Sequence, residues 1–331
     1  MLNKKSLKSL FATFAGAYFR VFKNSVLNNT LTVFLYHDVS NTPSEFSRLY
    51  NLNVFPDLFE FQIKYIKECF NVISPQQLIS GSVPPRAAMV TFDDGLKGIF
   101  SNAVEILNKN EVPAVIFLNM EPISGEIFYS GLITWLCEKE NTFAEHLLGS
   151  TGKEHISKPY FLHCTREIVN SWIKQSGRDF KNDVYRFTGP FASEDDLLRA
   201  SESPYIYYAN HLYNHDVALS LSDDELKASY MQNMEKLKCY KNYTNLFAFP
   251  FGQPETTFSE KQIEIILSMG ADKVFSSLPN LNYSVHSPYL HRIALTDFNN
   301  TRLKILYQVF YNEMKVNYIF KSLKKLFSGK L

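Results

Sequence analysis

The chain has 331 residues, 45% of them hydrophobic and 20% charged, with a formal net charge of +1. That length holds one large domain or two ordinary ones with ample core, and near-neutrality excludes a general electrostatic case for nucleic-acid binding. Cys69, Cys137, Cys164 and Cys239 form no Cys-x-x-Cys pair, which argues against a disulfide framework or zinc knuckle and for buried free thiols in a reducing compartment.

In chain order, Lys4, Lys5 and Lys8 precede a short apolar run, Leu10 to Ala17, with Arg20 and Lys23 close behind. The outline is that of a weak signal peptide. A basic amphipathic helix on the inner face of a membrane fits better, and a solvated cap over the fold is the plain alternative. The expected location is therefore cytoplasmic, peripheral to that membrane, and not secreted. No run is long enough to span a bilayer.

Leu31-Thr32-Val33-Phe34-Leu35-Tyr36 is an apolar run of the kind a strand buried on both faces shows, and it ends in His37 and Asp38. An amphipathic helix over Phe55 to Phe70, a short strand at Val72-Ile73 and a helix after Pro75 follow. Ala87 to Phe92 is the second buried run, ending in Asp93-Asp94-Gly95. Paired carboxylates repel and lose solvation inside a strand but are tolerated at its C-terminal end, where α/β proteins place ligands. An ordinary turn is the alternative. Lys97 to Asn108 has helical spacing, and Val112 to Leu118 reads as the next strand, so the carboxylates sit at the first strand's exit in a strand-helix-strand unit.

From about 122 to 205 the pattern is helical (Leu132 to Leu148, Thr165 to Gln175) with polar turns, read as an insertion or lid over the site. His146, His155 and His163 fall here without ligand spacing. Strand character resumes at Tyr205 to Ala209 and delivers His211 and His215. Ser222 to Glu225 is a capping box that starts a helix running to about Tyr240, so both histidines belong to the strand-to-helix connection. Two imidazoles and one carboxylate make a ligand set that leaves positions open on a divalent cation; packed loop histidines are the alternative.

Asn245 to Ala248 is a further strand, ended by the turn Phe249-Pro250-Phe251-Gly252. A helix (Glu260 to Ser268), a strand (Ala271 to Phe275), an apolar segment Tyr289 to Leu295 and an amphipathic helix from Asn300 close the chain. The C-terminal residues alternate apolar positions with Lys315, Lys321, Lys324, Lys325 and Lys330. Strands alternating with helices predict an α/β fold, either a parallel barrel or a doubly wound sheet.

Four pieces in order, Thr91-Phe92-Asp93-Asp94-Gly95, His211-x-x-x-His215, Phe247 to Gly252 and Leu290-x-Arg292-Ile293, resemble the polysaccharide deacetylase (NodB-homology, carbohydrate esterase family 4) enzymes. Tyr36-His37-Asp38-Val39 looks most like the poly-N-acetylglucosamine deacetylase branch. The resemblance implies a distorted (β/α)₇ barrel over residues 31–297 with the insertion at about 122–205. It leaves 1–30 and 298–331 as basic amphipathic flanks. It implies metal-dependent removal of an N-acetyl or N-formyl group from an amino sugar of a cell-surface glycan or its lipid- or nucleotide-linked precursor.

Carried across by position, Asp93 matches the general base, and Asp94, His211 and His215 match the metal ligands. The cation is expected to be zinc, with cobalt, iron, nickel or manganese as alternatives. Phe249, Pro250, Phe251 and Gly252 match the loop that lines the acetyl pocket. The amine's proton donor is sought among His291, His37 and Asp93 itself, and Arg292 is expected to hold Asp93 charged. Three departures stand out: Leu212 replaces the usual Ser or Thr, Phe249 stands in the place of a Tyr with no Arg before it, and His291 sits one position early in the Leu-x-His motif. A barrel without turnover that binds or scaffolds glycans, and a non-sugar amidohydrolase, are the alternative readings.

Overall fold

The structure, a computed structural model, describes residues 4–151 and 159–313. The apolar runs are strands: β1 (Leu31–Tyr36), β2 (Asp38–Val39), β3 (Asn53–Val54), β4 (Asn71–Val72), β5 (Ala87–Phe92), β6 (Ala114–Leu118), β7 (Ile206–Asn210), β8 (Tyr243–Ala248), β9 (Lys273–Phe275), β10 (Tyr289–Leu290) and β11 (Ile293–Ala294). Every residue of β1, β5 and β6 is buried, as expected of parallel strands covered on both faces.

The main sheet runs β10-β9-β8-β7-β6-β5-β1-β11 with all neighbours parallel, and β4 lies beside the first residues of β5. Its two edge strands, β10 and β11, are consecutive in the chain and separated only by His291 and Arg292, so the sheet curls until its ends nearly meet there. With β10 and β11 as halves of one interrupted stave, the barrel has seven staves, β1, β5, β6, β7, β8, β9 and the broken one. This is the distorted (β/α)₇ arrangement the resemblance implied.

The interruption has a local cause. The His291 N–H donates to Asn282 Oδ1 at 2.7 Å and its carbonyl accepts from Asn282 Nδ2 at 2.9 Å, so a side chain replaces the neighbouring strand. Satisfying both backbone groups in this way leaves Arg292, the next residue, turned inward and fully buried. The apolar segment Tyr289 to Leu295 is therefore two short strands instead of one.

Helices pack outside the barrel, several started by capping boxes, of which the one read from the sequence, Ser222 with Glu225, precedes Asp223–Leu237. The stretch between β6 and β7 is helical, with Tyr129–Lys139, Asn141–Thr151, Arg166–Ser176 and Lys181–Thr188 enclosing a separate core around Leu136, Phe143, Trp172 and Phe180. The cysteines are free thiols, but Cys239, in the turn after the Asp223–Leu237 helix, is exposed and Cys137 is half-buried.

The N-terminal segment is a helix, α1 (Lys4–Leu27), that packs on the Arg302–Val309 helix. At Gly16 a Cβ would fall 1.9 Å from the Leu303 carbonyl oxygen, so only glycine admits the approach. Phe19 stacks on Phe310 with centroids 5.1 Å apart. The opposite side of α1 stays exposed at Leu10, Phe14 and Tyr18. The basic C-terminal positions from Lys315 onward lie outside the described residues, as does His155. Among the described residues no helix is long and apolar enough to cross a membrane.

Asp38, just past β1, is buried beneath Gly98, where a Cβ would meet its Oδ1 at 2.1 Å. Burial pushes its carboxyl up to about 6, against hydrogen bonds from Ser47 Oγ and the Val39 backbone. The group holds its proton more tightly when folded than when unfolded. Its contribution to stability therefore grows as pH falls through the folded value toward the unfolded one. Between pH 7 and pH 5 this amounts to roughly 1 kcal/mol. Urea unfolding of wild type and Asp38→Asn at both pH values checks it: the wild type gains that increment on acidification relative to the variant, and parallel profiles would refute it.

Candidate metal centre and active site

Because the strands are parallel, their C-terminal ends share one rim, and the polar ends of β1, β5, β7 and the broken stave meet there. Asp94 Oδ1 lies 3.1 Å from His215 Nε2 and 3.5 Å from His211 Nε2. The oxygen is buried with no hydrogen bond of acceptable geometry. An orphaned buried carboxylate oxygen facing two imidazole nitrogens is the arrangement a cation completes. Among the described residues, Asp94, His211 and His215 are the one group of three or more metal-ligating side chains, with donor atoms within 4.8 Å of one another.

The groups behind these donors fix their roles. His211 Nδ1 lies 2.8 Å from the Ala248 carbonyl oxygen, which can only accept, so the ring proton sits on Nδ1 and Nε2 carries the free lone pair. His215 Nδ1 lies 3.2 Å from Ser130 Oγ. Asn210 Oδ1, just before His211, accepts from the Leu212 N–H and from Asn233 Nδ2. Asp94, Leu212, His215 and Phe251 all hold positive φ (72°, 61°, 53° and 62°), a strained backbone for non-glycine residues that the surrounding packing maintains.

Asp93 stands beside this set, its Oδ2 3.8 Å from His211 Nε2, but is held by Arg292. Arg292 Nη1 and Nη2 donate to its Oδ1 and Oδ2 at 2.6 and 2.7 Å, a bidentate pair with the guanidinium fully buried. Arg292 Nε donates to the Ser276 carbonyl at 3.1 Å, and its guanidinium lies over the Phe117 ring. Burial alone would raise the Asp93 carboxyl; Arg292 and the His211 ring outweigh it and hold the group below the usual carboxylate range.

A cavity of about 740 Å³ opens over the rim and is lined by Asp93, Asp94, His211, His215 and His37. His37 therefore faces both carboxylates, as the end of β1 predicted. His291 does not line it; its Nδ1 lies 2.9 Å from Ser276 Oγ and its ring packs edge-on to Tyr289, because the Asn282 clamp directs it away. Phe249, expected at the acetyl pocket, is fully buried and stacks on Phe258 at 4.2 Å, so it belongs to the core. Phe251 takes the place at the cavity, its ring centroid 4.6 Å from that of His215. Pro250 and Gly252 shape the backbone: a Cβ on Gly252 would fall 2.6 Å from the Ser277 nitrogen.

The helical stretch after β6 reaches the site in ways the sequence did not announce. Besides Ser130, Phe128 packs its ring 5.4 Å from that of His215. Arg166 Nε lies 3.0 Å from both oxygens of Asp216, and its Nη2 donates to Glu121 and to the Asn214 carbonyl, each at 3.3 Å. The Arg166 guanidinium also lies 3.9 Å from the Tyr129 ring centroid. The loop that carries His215 is thus gripped on both sides of that residue. Where the resemblance led to a Ser or Thr at position 212, the buried Leu212 gives no side-chain bond, and Ser130 and Arg166 brace the loop from elsewhere.

The sequence profile described as polysaccharide deacetylase matches residues 80–272, more than half of the chain and spanning both aspartates and both histidines. The chain belongs to the polysaccharide deacetylase family. Membership makes it a hydrolase of carbon–nitrogen bonds in N-acetylated sugars, with a glycan as substrate, in a family that is in general metal-dependent. No curated protein matches this deacetylase in sequence.

Solved structures share its fold. The Streptococcus pyogenes deacetylase PplD in complex with acetate is 16% identical, with a TM-score of 0.56 over 85% of this chain and 98% of the other. IcaB from Ammonifex degensii is 16% identical, with a TM-score of 0.52 over 85% and 97%. The de-N-acetylase from Aggregatibacter actinomycetemcomitans is 15% identical, with a TM-score of 0.54 over 84% and 99%.

Proposed function

We propose that this deacetylase removes the N-acetyl group from an amino sugar of a cell-surface glycan or its precursor, in the manner of the poly-N-acetylglucosamine deacetylase branch. Asp94, His211 and His215 hold a divalent cation, zinc by preference. The observation that carries the reading is the unpartnered Asp94 Oδ1 facing two imidazole Nε2 atoms, 3.1 and 3.5 Å away. When bound, the cation supplies Lewis acidity, making water more acidic and polarising the amide carbonyl.

The chain's own residues do the rest. Asp93 Oδ2, 3.8 Å from His211 Nε2, takes a proton from the attacking water, and Arg292 keeps that carboxylate ionised and oriented. Asp93 then returns that proton to the leaving nitrogen; His37 lines the same cavity, where burial holds its imidazole toward the neutral form. Phe128 and Phe251 pack against the His215 ring and limit water around it.

Metal-stripped protein titrated with Zn²⁺ or Co²⁺ tests this: amidase activity on N-acetylated sugars should appear as the cation binds. Failure on every N-acyl sugar, with Asp93→Asn matching wild type, would refute it. Arg166 gives a separate expectation. Its removal loosens the His215 loop, so Arg166→Ala should weaken Co²⁺ binding by about tenfold or more, the usual scale for residues behind metal ligands. Visible absorbance during Co²⁺ titration measures this without turnover, and unchanged affinity would show that the clamp holds the insertion alone.

A further inference from the structure

Part of the cavity over the site is not built like a groove for a run of sugars. Away from the site residues one part of its wall is Phe46, Leu49, Leu52, Phe128, Leu162 and Leu295 and another carries the neutral polar Gln253, Thr256, Thr257 and Ser277, and among its described lining residues there is no lysine or arginine and no carboxylate besides Asp93 and Asp94. Sugar hydroxyls set against leucine and phenylalanine would lose water without replacement hydrogen bonds. Among the described lining residues a nucleotide diphosphate would find no cationic side chain to receive it. A hydrocarbon would gain from the same walls.

A second, smaller cavity of about 290 Å³ adjoins it, the two sharing Ser130, His215 and Phe251, and this one is lined by Arg166, Glu167, Asp216 and Glu225. The site thus has a polar arm suited to sugar hydroxyls and, within the larger cavity, an apolar arm.

The surroundings of the apolar arm say where a hydrocarbon would come from. Its wall includes Leu295 and Thr296, and two residues further on Phe298 packs under Lys8 of α1 at 4.9 Å. From that end, α1 presents Leu10, Phe14 and Tyr18 to solvent in one stripe at four-residue spacing, 48%, 68% and 50% exposed. Lys8 and Arg20 are exposed on the same helix. An apolar stripe with cations on an amphipathic helix suits an anionic bilayer surface.

Resting on the deacetylation reading above, we infer that the substrate is an amino sugar carrying a hydrocarbon aglycone, a lipid-linked sugar presented at a membrane face, with the hydrocarbon in the arm between Phe46, Leu49, Leu52 and Leu295.

Binding and turnover test this separately. Methyl and hexyl β-glycosides of glucosamine, which cannot be deacetylated, give dissociation constants by calorimetry with the zinc-loaded full chain. Their N-acetyl counterparts give kcat/KM. The hexyl compound should bind at least about tenfold tighter, an increment that burying two methylenes supplies. In Leu49→Asn/Leu52→Asn, checked for folding by its melting curve, that ratio should shrink to below about threefold.

A wild-type ratio within about twofold overturns the inference. So does tighter binding of a glucosamine tetramer than of the hexyl glycoside, which assigns the arm to further sugars. Faster turnover of N-hexanoylglucosamine than of N-acetylglucosamine also overturns it, by assigning the arm to the acyl group. If neither N-acetyl glycoside is hydrolysed while the hexyl-over-methyl binding ratio holds, the deacetylation reading fails and the hydrocarbon arm stands.

Discussion

Asp93→Asn should lower kcat on an N-acetylated amino sugar by about 10²–10⁴-fold while the affinity for Co²⁺ stays within about threefold. The split follows from geometry. Asp93 Oδ2 is 3.8 Å from His211 Nε2 and both its oxygens are engaged by Arg292, whereas the oxygen that faces the two imidazoles belongs to Asp94. Asparagine keeps the shape and loses the basicity. Steady-state kinetics beside Co²⁺ titration separates the two effects, at a temperature where circular dichroism shows the variant folded. Loss of both together would mean that Asp93 is itself a ligand.

The larger effect on folding falls to Arg292. Its guanidinium is wholly buried, and its counter-charge is the Asp93 carboxylate at 2.6 and 2.7 Å. Removing one partner of such a pair leaves a desolvated charge without compensation, so Arg292→Met should lose about 3–5 kcal/mol in unfolding free energy. Asp93→Asn/Arg292→Met removes the stranded charge as well and should recover part of the loss, although neither variant regains turnover. Urea denaturation of chelator-treated proteins makes the comparison. A single-variant loss below about 1 kcal/mol would mean that water reaches the pair.

Much of this architecture could be read in advance because strands covered on both faces are written as apolar runs, and a polar residue at the end of such a run marks the rim. That logic placed Asp93, Asp94, His211, His215 and His37 at strand ends, while the choice of a barrel over a doubly wound sheet came from the resemblance. It failed where a side chain took over a backbone role: Asn282 binds both backbone groups of His291, and no periodicity signals that Tyr289 to Leu295 must break.

The Phe-Pro-Phe turn misled for a different reason. Both rings are equally apolar, and only the positive φ at Phe251 sends one to the cavity while Phe249 stacks in the core. Ser130 and Arg166 were hidden by distance along the chain, since their partners lie 85 and 50 positions away. Asn210 had a visible clue in its place directly before His211.

The close contact of α1 with the Arg302–Val309 helix also bears on how the molecule is made. α1 precedes the helix it docks on by most of the barrel, so it finds that surface only after the intervening strands have been made, and β1 likewise waits for β11. Until then Ala12, Phe19 and the flank of β1 have no partner, a long interval for exposed apolar surface to attract chaperones or neighbouring nascent chains. Ring closure thus waits for the last stave, and loss of the Arg302–Val309 helix should be felt first as aggregation through the uncovered faces of α1 and β1.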